Sequence, residues 1–340
     1  MKGTPTLRMG IAGCGQAARV HLDRLMAEEG VAVVGCSDPD LAAAKALADR
    51  AASASGREPG SVPSFADHRE LLRQATPQAL AVFVPHLAHY RTAMDALQVG
   101  CHVFIEKPLS TNVQEAADMA ALARARGLMV GVGHQYRMAA SLVEARRRLA
   151  EGAIGALRLV NATLARPWLA TLGQAESAWR FQPAAAGSGI LADVGDHLVD
   201  ALLWTTGQTA EEVGAIQSRR EPDIDIVTAA AIRLADGTPA TLAITGVAPG
   251  PLFAIEYFGE NGRLRATDET LEEQLAGSPA RQVPLAPPPG KRACSIDGDF
   301  VAALRGRGPL ACPADQALDT VRLLEAIARS AATRQVVRLI

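Results

Sequence analysis

The absences in this sequence narrow it first. Its five cysteines are Cys14, Cys36, Cys101, Cys294 and Cys312, and no two form a Cys-x-x-Cys pair. Their odd count and long spacings argue against structural zinc or any other metal site of that kind, and against a disulfide framework. Reduced thiols and a cytoplasmic location are the simplest reading. No sign of charge dominates: 34 basic residues face 36 acidic ones, for a formal net charge of -2. A partner that is nucleic acid or an acidic membrane is therefore not expected. No apolar run is long enough to span a bilayer, and the first nine residues lack the apolar core of a signal peptide. Internal repeats and low-complexity tails are also absent.

What is there is an ordinary globular balance, 340 residues with 49% hydrophobic and 21% charged, a length that suggests two domains. Strand-like runs at 7–12, 31–37, 79–84, 102–105 and 128–133 alternate with helical patterns at 17–29, 41–52, 68–74, 89–99 and 113–126. Such alternation implies parallel strands joined by crossovers, and so a doubly wound sheet. From about residue 157 the pattern changes. Apolar runs at 227–234 and 241–247 flank Asp236-Gly237, and runs at 253–258 and 263–266 flank Asn261-Gly262. Both dipeptides tolerate positive φ and signal hairpins. The Pro-rich stretch 277–290 reads as an exposed loop, 316–332 as a last helix and 336–339 as a final strand. The expected fold is α/β. A dinucleotide-binding doubly wound parallel sheet over 1–133 precedes a C-terminal α+β domain over 134–340 with a largely antiparallel sheet.

The run Gly10-Ile-Ala-Gly13-Cys-Gly15-Gln16-Ala-Ala18 follows the first strand and opens the first helix, and fits G-x-G-x-x-A. Gly13 would permit the tight turn. Gly15 would let backbone approach a pyrophosphate on the helix N-terminus, and Ala18 would allow close helix–strand packing. Asp38 ends the second strand about 20 residues further on, where a carboxylate can bind ribose hydroxyls. The plainer reading is a tight βα turn with Asp38 as a helix cap. A carboxylate there accepts from a free 2′-hydroxyl and repels a 2′-phosphate, so NAD is favoured over NADP.

Three more segments carry candidate chemistry. Pro85-His86-Leu-Ala-His89 ends one strand, Glu106-Lys107-Pro108 ends the next, and Asp193-Val-Gly-Asp-His197 opens an apolar helix ending near Gly207. In doubly wound sheets ligands bind beyond the carboxyl ends of the strands, which puts Pro85 and Lys107 at the nicotinamide. Pro108 ends its strand and is a candidate for a cis bond.

In these segments taken together, the chain resembles the Gfo/Idh/MocA family, named for glucose-fructose oxidoreductase and inositol dehydrogenase. The resemblance rests on the glycine loop, Pro85 with His89, Glu106-Lys107-Pro108, Tyr136-Arg137, Gly152-Ala-Ile-Gly155, Trp179-Arg180 and Asp193-x-x-x-His197. It implies that Lys107, Asp193 and His197 are the catalytic set. It also implies that Gln16, His86, His89, Glu106 and Lys107 join the cofactor site, and that Arg137 and Arg180 join the substrate site. His86 departs from the family, which often has Asn there. The implied substrate is a sugar, polyol or cyclitol oxidised or reduced at one carbon, and the implied assembly is a homodimer or homotetramer.

Oxidising a secondary alcohol requires a base for the hydroxyl proton while hydride leaves for the nicotinamide. His197 can serve as that base, since imidazole titrates near neutrality. Lys107 can stabilise developing alkoxide charge. Asp193, four residues before His197, shares its helix face and can hold a neighbouring hydroxyl. Either Lys107 or His197 could take the proton. Taken singly, each has a plainer reading: a turn lysine, a dipole-pairing aspartate, a structural histidine. Two other functions share this fold, an NAD-dependent glycoside hydrolase and a non-catalytic nucleotide sensor. The retained Lys107, Asp193 and His197 argue against the sensor.

Overall fold

The computed structural model describes residues 6–171, 179, 181–186, 189–220, 224–286 and 295–339. Two compact units divide the chain: Met1–Ser110, Gln114–Gly133 and Pro289–Asp315 form one, and Thr111–Val113, His134–Pro288 and Gln316–Ile340 form the other.

The first unit is built on β1 (Leu7–Ala12), β2 (Val31–Ser37), β3 (Ser64–Phe65), β4 (Ala79–Val82), β5 (His102–Ile105) and β6 (Val130–Val132). All pairs are parallel, in the order β3-β2-β1-β4-β5-β6. This is a doubly wound sheet whose order reverses beside β1. The crossovers are α1 (Gln16–Met26), α2 (Leu41–Ala54), α3 (His68–Ala75), α4 (His89–Gln98) and α5 (Val113–Arg126). The central strands carry apolar side chains on both faces because helices cover both: β4 is buried throughout, and Met9 and Ile11 of β1 are fully buried.

The second unit holds a nine-stranded sheet. Its strands are β7 (Leu157–Ala165), β8 (Ala210–Arg220), β9 (Ile224–Leu234), β10 (Pro239–Thr245), β11 (Leu252–Gly259), β12 (Gly262–Ala266), β13 (Leu271–Leu275), β14 (Arg281–Gln282) and β15 (Val337–Arg338). The order is β14-β13-β12-β11-β7-β10-β9-β8-β15, antiparallel except for the β7–β10 pair. Its helices are α6 (Ala140–Ala150), α7 (Pro183–Ala186) and α8 (Asp196–Thr206). Two helices follow, α9 (Ile296–Leu304) and α10 (Ala314–Thr333). Strands β9 and β10 alternate: Ala230, Ile232, Leu242 and Ile244 are buried, while Ala229, Ala231, Thr241 and Ala243 are exposed. The buried face joins Leu198, Val199 and Leu202 of α8 and Leu323 and Ile327 of α10 in one core.

Four expectations change. The expected division falls once, at residue 133, whereas residues 295–315 cluster with the first unit. Helix α9 buries Ile296, Phe300 and Val301, Phe300 lies 5.5 Å from Phe104 of β5, and Pro313 bridges to Gly131 of β6. The loop expected over 277–290 contains β14, drawn into the sheet by two pairings to β13. Strand β8 was not foreseen, because polar residues interrupt its alternation. Asp193 does not lie in regular α-helix: Leu191–Gly195 forms a π-helical turn before α8, so the i,i+4 argument for a shared face with His197 does not carry over. No described helix is long and apolar enough to cross a membrane. Cys14, Cys36, Cys101 and Cys312 are buried and form no disulfide among the described residues, and Cys294 lies outside the described residues.

Candidate functional site

In the first unit the candidate residues gather at the carboxyl edge of the parallel sheet. Gly13 has φ +86, and its N–H donates to Ser37 O at 2.8 Å. A Cβ there would stand 2.5 Å from the Phe83 carbonyl carbon and oxygen, so only glycine allows this turn and this approach to the end of β4. Gly15 is the extended N-cap of α1, no side chain caps the helix, and its first turn carries no acid. A Cβ built at Gly15 meets nothing within 4 Å among the described residues. The N–H groups opening α1 at Gln16 thus have the arrangement that suits an anion. Ala18 is fully buried against the sheet.

Asp38 accepts from Cys14 N at 2.8 Å through Oδ2 and from Asp40 N at 2.9 Å through Oδ1. The helix cap is Asp40, whose carboxylate accepts from Ala42 N and Ala43 N. The plainer reading of Asp38 as a cap is thereby assigned to another residue. Asp38 stays half-buried, fastened to the glycine loop with lone pairs to spare.

Pro85 precedes a single 3-10 turn, His86–Ala88. His86 is buried, its ring 5.6 Å from that of His89. His89 is fully buried, with Nδ1 2.7 Å from Pro108 O and Nε2 3.0 Å from Val84 O. Burial lowers its pKa despite those carbonyls, and a neutral ring donates to only one of them. One ring N–H therefore holds one of these two turns, while the other nitrogen only faces the second carbonyl. Glu106 N donates to Val82 O at 3.0 Å, and the buried Lys107 follows, joined to Pro108 by a cis bond.

In the second unit, Asp193 and His197 are both buried. Asp193 Oδ2 accepts from Trp168 Nε1 at 2.8 Å, and the indole packs 4.5 Å from the Phe181 ring. The Tyr136 ring lies edge-on to His197 at 5.2 Å and stacks on Phe253 at 4.4 Å. Tyr136 accepts through its hydroxyl from Arg166 at 2.7 Å. Burial raises its pKa, partly offset by Arg166. His134 sits between two carboxylates, Nε2 2.5 Å from Asp196 and Nδ1 3.2 Å from Asp200.

Arg137, expected at the substrate, is buried and grips Asp200 with two bonds, at 2.9 and 2.7 Å, and also donates to Gln316. Its fork is committed inside the unit. Burial would raise the Asp200 pKa, but His134 and Arg137 bring it below the usual carboxylate range. Arg180 lies outside the described residues. Sequence reasoning missed Trp168, Asp196 and Asp200 as partners, and it missed His21, buried between Asp297 and Glu106. Only the i,i+4 spacing of Asp196 and Asp200 on an apolar helix hinted at a buried polar face.

Comparison with known proteins then bears on the whole chain. The model of the oxidoreductase family with an NAD-binding Rossmann fold matches residues 7–134. That of the GFO/IDH/MocA C-terminal domain matches residues 142–265. A dTDP-3,4-didehydro-2,6-dideoxy-alpha-D-glucose 3-reductase of Streptomyces antibioticus is 31% identical over 340 residues, 96% of this chain and 98% of that protein. A D-glucoside 3-dehydrogenase of Escherichia coli is 28% identical over 206 residues, 59% of this chain and 54% of that one. The crystal structure of an oxidoreductase domain protein from Kribbella flavida superposes with a TM-score of 0.87 at 25% identity, covering 99% of this chain and 100% of the other.

Proposed function

The chain belongs to the Gfo/Idh/MocA family of oxidoreductases with an NAD-binding Rossmann fold, and from that premise we propose that it moves hydride between NAD and a secondary alcohol carbon of a sugar, polyol or cyclitol. The observation that carries the reading is the company Lys107 keeps. It is buried at the same carboxyl edge that presents the glycine loop and Asp38. A hexose reacting at carbon 3 is the first substrate to test, because position 3 stands in the names of both curated relatives.

The residues present fit the dinucleotide. Gly13, Gly15 and the opening of α1 at Gln16 hold the pyrophosphate through backbone N–H groups, with Ala18 packed beneath. Asp38 accepts from the ribose hydroxyls, which favours NAD over NADP. Pro85, His86 and Glu106 border the nicotinamide end, and His89 is buried between the two turns there. When bound, NAD accepts or returns the hydride. Lys107 hydrogen-bonds the reacting oxygen and stabilises its charge. His197 or Lys107 takes the alcohol proton, and Asp193 holds a neighbouring hydroxyl. Arg180 contributes to the substrate side, while Arg137 acts through Asp200.

The protein works as a homodimer or homotetramer. Supporting this, the outward face of the nine-stranded sheet carries Ala229, Ala231 and Ala243 with Ile216, which is 77% exposed, where a solvated face would be polar. The deciding experiment is a panel of hexoses, glycosides, nucleotide sugars and cyclitols scored by NADH absorbance together with product analysis. NADH release in step with a keto product supports the reading. Net glycoside cleavage, or no turnover with tight NAD binding, replaces it.

A further inference from the structure

We infer that His21 is a positioning residue for Lys107: from the helix behind the glycine loop it grips the Glu106 carboxylate, with Asp297 holding it from the other side. His21 Nδ1 is 2.6 Å from Asp297 Oδ1 and Nε2 is 3.3 Å from Glu106 Oε2. The ring is 4% exposed and stacks on Phe83 at 4.7 Å. Both nitrogens face carboxylate oxygens, so the imidazolium is the form that satisfies both. The charged groups around it are Asp297 from α9 and Glu106 beyond β5, with Arg24 3.6 Å from the far oxygen of Asp297. Phe83 and Phe104 present only rings. Burial lowers the His21 pKa, but Asp297 and Glu106 outweigh it and raise it to about 9.

Glu106 leaves little room for error. Its Oε2 would lie 2.6 Å from a Cβ at Gly133, so the carboxylate is pressed between the end of β6 and the His21 ring. Lys107 is the next residue. Beyond it the Pro108 carbonyl is tied to His89. The lysine therefore stands between two anchors, an ionic one at Glu106 and a neutral one at Pro108. Asp297 belongs to α9, so the far end of the chain reaches the Lys107 turn through one imidazole.

The inference takes the role of Lys107 from the reading above, but its test needs no substrate. The chain has seven histidines and four lysines. Labelling the full-length protein with ring-15N histidine and 13Cε lysine therefore yields sparse NMR spectra, with Lys107→Arg identifying the Lys107 peak. The His21 ring should stay doubly protonated at neutral pH and titrate near about 9, and the Lys107 peak should move with the same midpoint. Asp297→Asn should lower both midpoints together. Glu106→Gln keeps the volume and removes the ionic link. His21 should still titrate, while the Lys107 peak should stop following it; this variant decides alone if the first does not fold. A ring titrating at or below the ordinary histidine value would overturn the inference. So would a Lys107 peak that ignores His21 in the wild type or still follows it in Glu106→Gln. Normal turnover in Lys107→Ala would sink the catalytic reading and leave this coupling standing.

Discussion

In the first unit Asp38 is held by two backbone N–H groups and His89 by a backbone carbonyl. In the second, Asp193 is held by an indole and His134 by two carboxylates. Backbone anchoring needs particular residues at particular turns, which leave short local patterns. Side-chain anchoring draws partners from distant segments: Trp168 and Asp193 are 25 residues apart, and Arg137 and Asp200 are 63 apart. At the glycine loop and Asp38 the first unit thus presents its chemistry on backbone, and only its Lys107 turn leans on a side-chain link, Glu106–His21–Asp297. In the second, the frame and the chemistry share the same buried polar groups.

The sharpest way to break this contrast is Asp200→Ala. It strips a partner from the buried Arg137 and His134 and should cost about 3–5 kcal/mol, the range for leaving a buried charge uncompensated. Urea unfolding of the variant beside Asp38→Ala measures it. Equal stability losses in the two would erase the distinction.

Lys107→Ala should come next. Turnover should fall by a factor on the order of 10²–10³, the range for one preorganised donor, with NAD affinity and melting little changed. Steady-state kinetics on the first substrate to emerge from the panel, with calorimetry for NAD, would show it. A large loss of NAD affinity would mean that Lys107 serves the cofactor.

Asp38→Ala should weaken NAD about tenfold to a hundredfold, the worth of a charge-assisted hydrogen bond, and leave NADP no weaker. Calorimetric titration with both nucleotides reads the change in preference. Unchanged preference would remove Asp38 from the ribose.

The smallest effect is also the most selective, since the ionic anchors of the two units fail at opposite ends of the pH scale. His21 has its folded pKa raised to about 9. Its contribution is complete below the unfolded histidine value of roughly 6.5 and disappears as pH rises through about 9. Asp200 has its folded pKa lowered. Its contribution is complete above the unfolded value of roughly 3.8 and disappears as pH falls through the folded one. Hydrogen exchange corrected for intrinsic rates should show protection lost first in the Glu106 turn and α9 in alkali, and first around α8 in acid. The reverse order would contradict both assignments.

The same contrast explains what could be read from residues alone. The glycine loop and the ends of β1, β2 and β5 were legible because steric rules act over a few residues: Gly13 at φ +86 has one acceptable occupant. The two hairpins were legible through Asp236-Gly237 and Asn261-Gly262, as the β9–β10 and β11–β12 pairings show. Arg137 was singled out, but the carboxylate that claims it lies on α8. His21 looked like one more residue of an amphipathic helix until Asp297 arrived beside it. Strand β8 escaped notice because polar residues such as Glu211, Glu212, Gln217 and Ser218 interrupt its alternation.

The return of 295–315 to the first unit has a consequence for how the protein is made. A chain growing from the ribosome can form β1 to β6 early, but Phe300, Pro313 and Asp297 emerge only after the whole nine-stranded sheet except β15 has been synthesised. Until then the apolar flank at Phe104 and Gly131 is uncovered and His21 lacks its aspartate. Vectorial folding ordinarily lets an N-terminal domain finish before the next begins. Here β1 to β6 precede the nine-stranded sheet in translation but are covered only after it, and completion of the Lys107 turn waits on α9.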